Sequence, residues 1–190
     1  MKRNPNILIL LVVFLLTQAC NSPGYRTLYD YQSVKTIAFD CERHVDQIST
    51  EIVEISADDV KTCLLDKNGK ITWILFVFYD CGGGVEREVE LHSDFSDKID
   101  LHIISMNYDI LRIKNLEMNI NKPIFFIERI DNRMRKNKDI FVSKIFGIEP
   151  DKNITRVPNI FVYNGEIIKV GYRSEINAES IATLVNEYIN

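Results

Sequence analysis

Residues 71–84, ITWILFVFYDCGGG, constrain the fold more than any other stretch of the chain. Ile71 to Tyr79 is a nearly unbroken apolar run, rich in β-branched and aromatic residues. That pattern is a strand covered on both faces of a sheet. It breaks at Asp80-Cys81, and three glycines follow. Beyond them Val85, Val89, His92, Phe95 and Ile99 recur at helical spacing. Strand, tight turn with a cysteine, then helix: this order sets the thiol at a helix N-terminus, where free N–H groups favour the thiolate. Cys81 is therefore the candidate nucleophile.

The chain around this stretch reads as alternating strands and helices. Asp100 to Met106 predicts a second buried strand, which completes a βαβ unit. Residues 109–120 carry a loose helical pattern, and Pro123 opens the short apolar run IFFIE. Asp131 to Lys138 (DNRMRKNK) is polar and mostly basic, and reads as a solvated loop. Asp139 to Ile148 reads as a short helix with Phe141, Val142, Ile145 and Phe146 inward, stopped by Gly147. Asn159 to Tyr163, then Asn164-Gly165, then Glu166 to Val170 predict a β-hairpin. A last helix starts near the favoured N-cap residue Asn177, with Ile181, Leu184, Val185 and Tyr188 on one face. Upstream, Ile37–Phe39 and Thr50–Ile55 read as short strands. Two readings of the next segment stay open: a helix capped by Ser56 and running to Leu65, or a strand Lys61–Leu65 paired with Ile71 across a turn.

The first nineteen residues read as a leader that is not part of the fold. Lys2 and Arg3 precede the apolar run Ile7–Leu16, which is shorter than the ~20 residues that span a bilayer. The Ala19-Cys20 junction resembles a bacterial lipobox. That resemblance implies a lipidated Cys20 at the mature N-terminus and a protein tethered to the membrane through its lipid. Residues 20–35 read as the tether, and 36–190 as one domain. The formal net charge of −4 becomes −6 when Lys2 and Arg3 leave with the leader, which argues against nucleic acid as a partner. The expected location is a bacterial cell envelope, facing the periplasm.

The order βαβ, helix, Val157-Pro158, hairpin and C-terminal helix, with Cys81 at the first strand–helix junction, resembles the thioredoxin-like superfamily. The long connection that holds PIFFIE and a helix is similar to that of the membrane-anchored TlpA/ResA-type branch, and peroxiredoxins share it. The resemblance covers about residues 60–190. It implies an α/β fold with a central mixed sheet flanked by helices, here with an N-terminal β-containing extension. It also implies a cis Pro158 across from Cys81, with the backbone at Val157 and Pro158 pairing with an extended substrate. Protein thiols or disulfides, or an extended peptide, would then be the partners, and no cofactor is called for.

The redox motif itself is incomplete. Gly84 stands where the family's resolving cysteine would be, and the chain has no CxxC. Phe78-Tyr79-Asp80 runs straight into Cys81 without the extra residues usual in the family. Asp80, Glu86 and Glu88 oppose a thiolate, and Arg87 is the only basic residue close in sequence. A peroxiredoxin is disfavoured, because its reactive cysteine follows Pro and Thr or Ser. With Cys20 lipidated, Cys41, Cys63 and Cys81 are left. Cys41 can pair with Cys63, either can resolve Cys81, or all three can be reduced. His44, His92 and His102 have no metal-ligand spacing, and His92 and His102 read as core residues. Two functions follow from this reading: a monothiol exchange protein acting through Cys81, or a non-catalytic binding or scaffold lipoprotein of the same fold.

Overall fold

The computed structural model describes residues 36–65, 69–77, 85–106, 110–131 and 134–189. The leader, Cys20, the tether and the Asp80-Cys81-Gly-Gly-Gly84 turn lie outside the described residues. The strands are β1 (Thr36–Ala38), β2 (Ile52–Ile55), β3 (Ile71–Val77), β4 (Ile99–Ser105), β5 (Ile124–Ile127), β6 (Asn159–Tyr163) and β7 (Glu166–Gly171). They form one seven-stranded mixed sheet in the order β1-β2-β5-β4-β3-β6-β7. Strands β1 to β5 pair in parallel; β6 joins β3 antiparallel and β7 closes the hairpin. The fold is α/β with helices on both faces, consistent with a thioredoxin-like architecture. β1 and β2 form the N-terminal β-containing extension.

β3 is the centre of the molecule because its sequence satisfies both faces. Ile71, Trp73, Leu75 and Val77 point into one core, and Ile74 and Phe76 into the other. The first core is covered by α3 (Glu86–Ser93), α4 (Ile110–Ile120) and α7 (Ala178–Tyr188). The second is covered by α2, an α-helical turn Ala57–Asp59 that continues as a π turn, Val60–Leu64, and by α5 (Met134–Phe146). Two more short α-helices are α1 (Cys41–His44) and α6 (Lys152–Thr155), and a 3-10 turn, Arg173–Glu175, follows β7. The buried Trp73 indole donates to Asn159 Oδ1 at 3.0 Å, and the Asn159 amide donates to Gly171 O at 3.2 Å, so the polar atoms between β3, β6 and β7 are paired.

The hairpin turn is built as its sequence requires, with Asn164 and Gly165 at φ of 50° and 76°. Asn177 caps α7 by accepting from Ser180 N at 2.8 Å. The segment 56–65 is the helical alternative. Ser56 accepts from Asp59 N at 3.1 Å, and Asp59 accepts from Ser56 N at 2.9 Å; this reciprocal cap nucleates the turn. Lys61–Leu65 is therefore not a strand beside β3. Replacing Ser56 with alanine is expected to cost about 1 kcal/mol in urea unfolding. The basic stretch DNRMRKNK corrects the sequence reading more sharply. α5 begins at Met134, and Asn137 and Lys138 are buried rather than solvated.

Candidate functional site

The parallel strands deliver their C-terminal ends to one edge of the sheet, the edge where α/β folds place chemistry. β3 ends there at Val77, whose carbonyl accepts from Met106 N at 3.0 Å. Val85 is the N-cap of α3, so Cys81 falls in sequence between Val77 and Val85. Asn159 stands opposite Leu75, and Pro158 O accepts from Phe76 N at 2.8 Å. Val157-Pro158 is thus held against the end of β3.

The Val157–Pro158 bond is trans, since the described residues contain no cis peptide. This corrects the cis proline implied by the resemblance. The extended β6 pairing carries on through the Pro158 carbonyl, and a trans bond is the ordinary state of such a strand. Val157 is itself buried, and its carbonyl is engaged within the protein: Lys138 Nζ donates to it at 2.6 Å.

Lys138 is the residue that the sequence reading missed. It is 4% exposed, and its ammonium lies 4.4 Å from the centre of the Phe76 ring. Burial pushes its pKa down to about 7; Asp139 opposes that shift. A lysine buried against a carbonyl and an aromatic face, at the end of the central strand, is a group able to hold or release a proton near neutrality. The signal was its phase: Lys138 lies three and four residues before Phe141 and Val142, on the same face. Next to it, Asn137 secures the connection after β5. Its Oδ1 accepts from Ile130 N at 2.7 Å, and its amide donates to Glu128 O at 2.9 Å.

On the other core, Glu88 sits in the first turn of α3 and is 1% exposed. Neither carboxylate oxygen has a hydrogen bond. Arg173 Nε, from the turn after β7, is 3.4 Å from Oε1, and Arg87 is 3.9 Å away. Arg87 instead donates to the carbonyls of Arg173 and Ile176. The positive end of α3 and Arg173 are what compensate this buried charge. Arg173 lies far from Glu88 in the chain, so local sequence could not couple them.

Cys41 and Cys63 form a disulfide, with a Cα separation of 5.4 Å across 22 residues. His92 contacts Ile99 O through Nε2 at 2.8 Å, and burial lowers its pKa. His102 is likewise buried, in β4. The described residues contain no group of three or more metal-ligating side chains, and no helix among them is long and apolar enough to cross a membrane. No family model, curated protein or solved structure matches the chain.

Proposed function

We propose that this chain is a lipid-anchored, thioredoxin-like protein of the bacterial cell envelope that exchanges thiols and disulfides through Cys81 alone. The observation that carries the reading is the register of β6 on β3. It sets Val157-Pro158 beside the strand end from which the Cys81 segment departs. The Cys81 thiolate attacks one sulfur of a substrate disulfide; a Cys81–substrate disulfide forms, and the other sulfur leaves with the electron pair and takes up a proton. Gly84 supplies no second thiol, so a thiol from outside the motif completes the turnover. Cys20 carries the lipid, which keeps the domain at the membrane surface.

The test is mixed-disulfide trapping with a peptide disulfide. An adduct is expected on wild type and not on Cys81→Ser; equal labelling of the two proteins, or none on either, would sink the proposal. A second reading, a binding or scaffold lipoprotein without turnover, is favoured by the occupied Val157 carbonyl and by the missing second cysteine. Under that reading a Cys81→Ser chain keeps its cellular role; under the first it loses it.

A further inference from the structure

The Cys41–Cys63 disulfide is unequal at its two ends. Cys41 opens α1 and is exposed, whereas Cys63 lies inward on the π turn of α2 and is 1% exposed. Thiol–disulfide exchange needs access to the sulfur that is attacked, and its equilibrium depends on how well the protein holds the thiol that is released. Of the two residues only Cys41 is exposed, which makes it the one open to attack. An open hollow of about 370 Å³, lined by Arg43, His44, Gln47, Ile48 and Ser49, follows Cys41 in the same short segment.

The protonated Cys63 thiol, the product form of the sulfur that leaves, is also provided for. Cys63 Sγ lies 3.4 Å from Thr62 Oγ1, and the Thr62 hydroxyl can donate to Asp58 O at 2.9 Å. With its own proton directed to Asp58, Thr62 Oγ1 presents a lone pair toward Cys63. A released Cys63 sulfur in this apolar surrounding takes up a proton and donates the S–H to Thr62.

We propose that Cys41–Cys63 is a second exchange centre, independent of Cys81, in which a small thiol attacks Cys41 and Cys63 leaves. The Cys41–Cys63 bond breaks as a bond forms between the incoming sulfur and Cys41; the electron pair goes to Cys63, which gains a proton. A second thiol from the same class of reductant then releases Cys41 as a thiol and is itself oxidised to the disulfide. The net result is a reduced Cys41/Cys63 pair and one oxidised dithiol equivalent. Reduction removes the cross-link between the N-terminal extension and α2.

The experiment uses the full chain carrying Cys20→Ser and Cys81→Ser, so that failure here is distinct from failure at Cys81. The oxidised protein is incubated with reduced glutathione, quenched in acid and mapped by peptide mass spectrometry. Glutathione is expected on Cys41, with Cys63 recovered as the free thiol. Adducts distributed equally over both cysteines, or no reaction until the chain is unfolded in denaturant, would overturn the proposal. A second reading comes from equilibration in glutathione redox buffers. Thr62→Val is expected to lower the reduced-to-oxidised ratio about two- to fivefold, with Thr62→Ser restoring it. A Thr62→Val ratio equal to wild type would remove Thr62 from the mechanism, and with it the provision made for the released Cys63 thiol.

Discussion

Lys138→Met is expected to reverse its effect on stability as pH rises. Below about pH 7 the folded protein carries the Lys138 charge in a desolvated position, while the unfolded chain carries it in water. A shift from 10.5 to about 7 corresponds to a penalty of a few kcal/mol, present in full below the folded pKa. Between about 7 and 10.5 the unfolded chain binds the extra proton, so wild-type stability gains with pH relative to the variant. Methionine fills a similar volume without charge, but leaves the buried Val157 carbonyl without its donor, a loss of about 1–3 kcal/mol. At pH 6 the variant should therefore be the more stable protein by about 2 kcal/mol, and near pH 10 the less stable by a similar amount. Urea midpoints of both proteins at pH 6, 8 and 10 check this. A difference that stays constant with pH would mean that Lys138 titrates in the folded state as it does in water.

Replacing Cys41 and Cys63 together by alanine should cost about 3 kcal/mol, the loop-closure value for a cross-link of this length. The cross-link spans 22 residues and ties α1, on the extension, to α2, against the second core. Its action is mainly on the unfolded chain, so the native sheet of the variant should be unchanged. Adding a reductant to wild type should reproduce the same loss, because both routes open the same loop. A loss under about 1 kcal/mol in both experiments would mean that β1, β2 and their neighbours already restrict the unfolded ensemble.

How much of this was legible in the sequence depended on the range of the signal. β3 was plain because seven consecutive buried residues leave no other assignment. The hairpin and α7 were plain because Asn164-Gly165 and Asn177 are local instructions. The segment 56–65 was ambiguous because five apolar and polar residues fit either period; the Ser56–Asp59 cap decides it. Lys138 was hidden by its own neighbours. One buried cation inside a run of basic residues looks like solvent-facing charge until α5 fixes its phase. Glu88 figured in the sequence only as an acid opposing a Cys81 thiolate, and its burial was not legible because its counter-charge, Arg173, arrives from beyond the β6–β7 hairpin. The Cys41–Cys63 pair was one of three open readings, since spacing alone does not choose among three thiols.

β5 enters the sheet between β4 and β2, which gives the first two strands a protective duty. Its four residues, Ile-Phe-Phe-Ile, are all buried, and β2 pairs with the last two, Phe126 and Ile127. A chain shortened to begin near residue 60 would expose that ladder as an open, flat, uncharged edge. Such an edge recruits a second molecule. The extension thus works as a guard against self-association, and the boundary that looks natural by resemblance is the wrong place to cut.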